Sequence, residues 1–364
     1  MALSGKGFYI WKIPSCENGN PASIANAAVA SKLTHVLIKI ADGITPYNYD
    51  SAKNIDYVPP VVTALRAKGI QVWGWHYVYG DDPIREARLA GQRTTQLNLN
   101  GYVIDAEIQY KQPGKSTAAK NFMTELRKYI PNTPVALSTY RFPSYHKEFP
   151  FNSFLEKCNY SMPQVYWEGS HNADEQLLRC VNEYKTLVIP RPVIPTGPTY
   201  RVGSWSPTEK DINLFLKTAV SQNLPGVNFF SWDECRRDFK ALWNTIGSYT
   251  WGGQVILDFP EKFITALNTR NPDTIAALYG SSALQITSSR TLQGFDAIRS
   301  WYNGLFTQVL PNAVFTLTGS SGTGSTRHIN WNCTSSRGTI QNGSDTFGLV
   351  DDKIAYHYSY YKLP

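Results

Sequence analysis

The chain has 364 residues, 42% of them hydrophobic, which is enough for a sizeable core and too long for one ordinary domain. A net charge of +7 favours acidic partners, yet no basic stripe with interleaved aromatics and no nucleic-acid motif is present, so no nucleic-acid partner is expected. Five cysteines without any CxxC spacing argue against structural zinc and a disulfide scaffold, and no apolar run is long enough for membrane insertion.

In chain order, residues 1–248 alternate β-rich runs with helical stretches, the pattern of a parallel sheet with crossover helices. The β-rich runs are Gly7–Ile13, His35–Ala41, Gln71–Tyr79, Gly101–Ile108, Pro134–Tyr140, Tyr160–Trp167, Val193–Tyr200 and Gly226–Asp233. Helical patterns between and after them include Ala22–Ser31, Val58–Lys68, Ile84–Leu97, Ser116–Ile130, Asp174–Lys185, Thr208–Gln222 and Arg236–Ile246. Eight such units predict an α/β fold, a (β/α)8 TIM barrel. An open doubly wound sheet is the alternative, disfavoured because no Gly-rich phosphate loop follows a strand. The N-terminus lacks the apolar core of a signal peptide, which leaves the protein's compartment open.

From Gly247 to Gly253 the sequence reads as a linker, and residues 249–364 form a second, α+β domain. Helices are predicted over Pro260–Thr269, Pro272–Tyr279 and Phe295–Phe306. Antiparallel strands follow over Val314–Thr318, Arg327–Cys333, Gly338–Asn342, Ser344–Val350 and Lys353–Tyr361, with Asp351-Asp352 turning before the last.

Working residues of such barrels project from the C-terminal strand ends. Strand four ends Val103-Ile104-Asp105-Ala106-Glu107, and strand alternation puts Asp105 and Glu107 on one face. Two carboxylates this close repel when both are ionised, so one keeps its proton to higher pH, as glycosidic cleavage requires. A D-x-E at a strand end also fits a surface turn or a salt-bridged pair. Trp11, Lys39, Asp42, His76, Tyr77, Tyr140, Gln164, Tyr166, Trp167, Trp232 and Asp233 lie at the other strand ends, a set suited to binding sugar. Among these, His76 fits a core histidine equally well, Trp167 and Trp232 fit packing, and Asp233 fits a helix N-cap. No metal or cofactor is expected, and no G-x-S-x-G elbow or Cys–His arrangement supports acyl transfer.

Over residues 5–245 these strand ends resemble the glycoside hydrolase family 25 lysozymes, β/α barrels that cut peptidoglycan. The matching segments are Val36 to Gly43, Gly74 to Tyr77, Ile104 to Glu107 and, more loosely, Pro163 to Tyr166. The resemblance implies that Glu107 is the proton donor and Asp105 the carboxylate supporting a substrate-assisted step. Where that family places an Asp near the end of strand one, this chain has Trp11-Lys12. The second domain resembles the cone-shaped nuclear transport factor 2-like (NTF2-like, SnoaL-like) fold, through Phe263 to Asn268, Gly294 to Ile298 and Val350 to Ile354. That resemblance implies a curved sheet around an apolar pocket, serving as ligand binder, enzyme or homodimerisation module. Tyr279, Trp301, His328, Trp331 and Tyr358 are the candidate pocket groups, with ordinary core packing as the alternative reading.

Three functions stand at this point. The first is a glycoside hydrolase acting on a polysaccharide, with a cell-wall polymer among the candidates. The second is a catalytically silent carbohydrate-binding barrel, and the third an assembly protein paired through its second domain.

Overall fold

The computed structural model describes residues 3–251, 259–322, 325–350 and 353–363. The Asp351-Asp352 turn and Gly252-Gly253 of the expected linker lie outside them. The chain divides into two compact units, Met1–Val255 and Ile256–Pro364.

The first unit is a closed parallel barrel of eight strands. They are β1 (Gly5–Ile10), β2 (His35–Asp42), β3 (Gln71–Val78), β4 (Gly101–Ala106), β5 (Val135–Tyr140), β6 (Tyr160–Gln164), β7 (Thr196–Pro198) and β8 (Gly226–Phe230). Closure is set by β1, which pairs with β2 on one side and β8 on the other. Local sequence starts the surrounding helices. Pro21 opens α1 (Pro21–Ala30) behind an Asn20 cap, Asp82 caps α3 (Pro83–Gln96) after α2 (Val58–Ala67), and a Thr208–Asp211 capping box opens the later helix Glu209–Ser221.

Alternation along each strand sorts side chains into two cores. Phe8, Ile10, Val36, Ile38, Tyr102 and Ile104 face the helices, whereas Tyr9, Leu37, Trp73, Trp75, Val103, Ala136, Met162 and Ile194 fill the barrel. At the barrel's lower end His35 bonds Asn228 Oδ1 through Nε2 at 2.7 Å. Its ring lies where a Cβ on Gly7 would come within 2.2 Å, so only glycine leaves room there.

Some boundaries differ from expectation. Strand β7 spans only Thr196–Pro198 of the expected Val193–Tyr200, because Pro192, Pro195 and Pro198 offer no N–H to a ladder. The expected helix Arg236–Ile246 is two helices, Trp232–Asp238 and Lys240–Ser248, parted at Phe239, where φ −128° and ψ 52° leave the helical region.

The second unit folds as a six-stranded sheet with helices at Phe259–Asn268, Pro272–Ala276 and Phe295–Gly304. Its strands are β9 (Tyr279–Thr287), β10 (Arg290–Gln293), β11 (Val314–Ser321), β12 (Thr326–Ser335), β13 (Gly338–Val350) and β14 (Lys353–Tyr360), in the order β10-β9-β14-β13-β12-β11. The sheet is not wholly antiparallel, since β9 and β14 run parallel. Both β9 and β10 escape the sequence reading: Tyr279 closes an apparent helical pattern, and the Gly280-Ser281-Ser282 that follows has little strand character. Gly343 joins two expected strands into β13, because its bare backbone lies under the Trp331 indole, where a Cβ would meet the ring at 2.5 Å.

Candidate active site

The barrel's apolar filling gives way at the C-terminal strand ends to a polar floor formed by Lys39, Asp105, Ser138 and Gln164. Asp105 is 9% exposed and sits beneath the half-buried Glu107. Gln164, the last residue of β6, bridges them: its Nε2 donates to Asp105 Oδ1 at 2.9 Å and to Glu107 Oε1 at 3.0 Å. Ser138 Oγ on β5 lies 3.4 Å from the same nitrogen. Burial, and then the neighbouring Glu107 charge, push the Asp105 carboxyl well above the usual carboxylate range, against the opposing pull of Lys39, Ser138 and Gln164. The floor thus favours the neutral form of a buried carboxyl group next to a carboxyl group that opens to solvent.

Lys39 points into the same mouth and is fixed there. Its Nζ donates to Asp42 Oδ2 at 2.6 Å and lies over the rings of Tyr47, Trp75 and Trp11 at 4.3, 4.8 and 5.6 Å. Tyr79 donates to the other oxygen of Asp42 at 2.8 Å, so both oxygens serve to hold that corner.

Phenols surround the carboxyl pair. Tyr77 donates to Gln109 Oε1 at 2.9 Å, and its pKa is raised by burial and by Glu107. Tyr140, stacked on His146 at 3.7 Å, is pushed up to about 12 by burial and Glu107. Tyr9 and Tyr166 are likewise raised, first by burial and then, among other groups, by Asp105. These groups remain O–H donors throughout the neutral range. Trp11, 38% exposed, stands at the rim 6.2 Å from the Phe230 ring, with Tyr166 and Tyr200 also packed on Phe230.

The structure therefore brings Asp105, Glu107, Gln164, Lys39, Asp42, Tyr77, Tyr140, Tyr166 and Trp11 to one opening. Three expected binding residues are corrected. His76, Trp167 and Trp232 are fully buried between strands and helices, where no ligand entering the mouth reaches them. His76 follows inward-facing Trp75 and so points outward, with Nε2 bonded to Gly43 O at 2.7 Å and Nδ1 to the Tyr102 hydroxyl at 2.9 Å. Asp233 is not the N-cap; Ser231 occupies that position, and its hydroxyl donates to Asp233 in the first helical turn at 2.6 Å.

Tyr9, Tyr47, Tyr79, Ser138 and Phe230 belong to the site but were not singled out. Period-2 alternation within the third, fifth and eighth β-rich runs would have found Tyr79, Ser138 and Phe230, whereas Tyr47 arrives from a connection whose path the strand pattern does not encode. Among the described residues no cluster of three or more His, Cys, Asp or Glu could hold a metal ion, and no helix is long and apolar enough to cross a membrane.

In the second unit, Trp301 and Trp331 line an internal cavity, and Tyr279 reaches it through hydrogen bonds. His328 and Tyr358 do not. They alternate with buried Ile329 and His357, so they lie on the sheet's other face. Residues 261–357 match the model of the SnoaL-like domain. The second unit is a SnoaL-like domain of the NTF2-like fold. Solved structures similar to it include an NTF2-like protein of unknown function from Cytophaga hutchinsonii, 15% identical over 28% of this chain and 84% of that one, with a TM-score of 0.24. Another, from Catenulispora acidiphila, is a hypothetical protein with a ketosteroid isomerase-like fold, 16% identical over 28% and 82%, with a TM-score of 0.26. A putative hydroxylase from Streptomyces galilaeus is 10% identical over 28% and 75%, with a TM-score of 0.25. No curated protein matches the chain.

Proposed function

We propose that the barrel is a glycoside hydrolase acting on a polysaccharide, with Glu107 as general acid and Asp105 as its supporting carboxylate. The observation that carries this reading is the single amide of Gln164 spanning both carboxyl groups, one buried and shifted toward its neutral form, the other open to the mouth. Hydrolysis of an acetal needs a proton delivered to the leaving oxygen and negative charge near the sugar carbon that becomes cationic. Glu107, at the open side of the pair, delivers the proton to the glycosidic oxygen, and Asp105 beneath it faces the growing positive charge. Trp11 offers a rim surface for a sugar ring, while the Tyr77 and Tyr140 hydroxyls supply directional contacts.

A panel of polysaccharides that includes peptidoglycan tests the proposal. The parent protein is expected to release reducing ends from at least one polymer, and Glu107→Gln to abolish release while polymer binding persists. Binding without any cleavage by the parent would replace the hydrolase with a carbohydrate-binding barrel. Neither binding nor cleavage would overturn both readings.

A further inference from the structure

Several cations around the barrel mouth are neutralised by a neighbouring acid: Lys39 by Asp42, Arg236 by Glu17 and Lys115 by Asp81, at 2.6, 2.7 and 2.6 Å. Lys12 and Lys111 make no ion pair among the described residues. Each is instead held against an aromatic ring, Lys12 Nζ 5.4 Å from the centre of Trp11 and Lys111 Nζ 4.7 Å from that of Tyr140. Acids that approach the mouth elsewhere already accept hydrogen bonds, Asp42 from Lys39 and Tyr79, Glu168 from Tyr200 and Asp233 from Ser231.

These two lysines stand on opposite sides of the mouth. Trp11 and Lys12 follow β1, whereas Tyr140 ends β5, and in a closed ring of eight strands β1 and β5 lie opposite one another. Lys111 ends the short turn Ile108–Lys111 that begins directly after Glu107, with Tyr110 N donating to Glu107 O at 3.0 Å. His146 stacks on the Tyr140 ring at 3.7 Å and holds the ring against which Lys111 rests. A glycan laid from Trp11 to Tyr140 therefore passes Asp105 and Glu107 with an ammonium group at each end. Lysines without a counter-charge at a partly desolvated mouth attract anions, and the chain's net charge of +7 acts in the same direction.

Resting on the reading of this mouth as a glycan site, we propose that its substrate is an anionic polysaccharide, one whose repeating units carry carboxylate or phosphodiester groups. Lys12 and Lys111 are the residues that select for that charge. At each end the aromatic side chain gives the sugar apolar or hydroxyl contact, and the lysine gives it a counter-charge. A neutral polymer keeps the first kind of contact and forgoes the second, so it binds more weakly and is discriminated against.

Affinity electrophoresis of the full chain tests it, with polygalacturonate, alginate and hyaluronate each run beside its own methyl ester, and poly(glycerol phosphate) run beside dextran. At least one charged polymer is expected to bind ten times more tightly than its neutral counterpart, and which one does so separates carboxylate from phosphodiester. Lys12→Met and Lys111→Met should each weaken that polymer at least threefold and leave the neutral counterpart unchanged. Lys68→Met combined with Lys185→Met removes two exposed charges from the far ends of α2 and the helix Ala173–Lys185, and should bind like the parent. Equal affinity for charged and neutral forms throughout, or an equal loss in this control, overturns the proposal. Charge preference without cleavage of any polymer sinks the hydrolase and keeps this inference. Cleavage of a neutral polymer with no charge preference does the reverse.

Discussion

Gln164 Nε2 stands within hydrogen-bond distance of both Asp105 Oδ1, at 2.9 Å, and Glu107 Oε1, at 3.0 Å, so one amide group sets the spacing of the pair. It also favours the ionised form of Asp105, opposing burial. Gln164→Leu removes that donor. The pKa of Asp105 should then rise further, carrying the basic limb of the pH–activity profile to higher pH. With the spacing no longer held, kcat is expected to fall by about tenfold to a hundredfold. A pH series of kcat on the cleaved polymer reads both effects, and an unmoved basic limb would separate Gln164 from the proton of the pair.

Asp105 makes an opposite demand on stability. Its pKa is raised in the folded state, so between its unfolded and folded values the native protein binds more protons than the unfolded chain. The sign is therefore negative: this group favours folding at low pH, and that contribution is lost as pH rises through the folded value. Asp105→Asn carries no charge and escapes the loss. The variant should gain stability relative to the parent at pH 8 compared with pH 4, while kcat drops by roughly a hundredfold or more. Urea denaturation at the two pH values measures the first part; a parent and variant with parallel pH dependence would contradict it.

Much of the barrel was legible because parallel strands buried on both faces write long apolar runs, as in Val36–Leu37–Ile38 and Val103–Ile104. Asp105 and Glu107 stood out for the same reason, as the first acids after such a run. What the runs do not encode is which face each residue takes once a strand has ended. Trp167 lies past β6 on the outward phase that Val165 sets, and Trp232 lies past β8 at the start of a helix, where the period of two no longer holds; each sits in the helical layer. In the second unit the sequence names Tyr279 and Trp331 but not the buried polar groups they bond, His357 Nδ1 at 2.7 Å and Asp345 Oδ2 at 2.8 Å. Asp345, His357 and Gln285 come from three strands, one of them unseen in the sequence, and only the register assembles them.

Two buried histidines predict the acid limit of the fold. His35 and His76 are both fully enclosed, and burial lowers each from 6.5 to about 4. Between those values the unfolded chain binds more protons than the native one, so stability rises with pH across this window. Their contribution is complete above about pH 6.5 and is lost as pH falls toward 4, at roughly 3 kcal/mol for each ring. His76→Gln should flatten this acid limb. Thermal midpoints from pH 4 to 7 test the claim, which fails if parent and variant lose stability equally.

Asn48 ties the rim of the mouth to its floor and carries the last prediction. Its Oδ1 accepts from Ile13 N at 2.8 Å, and its Nδ2 donates to Trp11 O at 3.0 Å and Lys39 O at 2.9 Å. Its backbone φ of 55° lies in the left-handed region, which asparagine tolerates better than most residues. Asn48→Ala leaves three backbone groups around a 9%-exposed position without their partner and keeps the unfavourable φ. A loss of about 2 to 4 kcal/mol is expected from the unpaired groups. Trp11 and Lys39 should lose their fixed positions with it, so KM for the cleaved polymer should rise more than kcat falls. Asn48→Gly relieves the φ cost but not the lost bonds, and should recover part of the stability with none of the affinity. Recovery of affinity by glycine would mean that backbone conformation, and not the three hydrogen bonds, sets the rim.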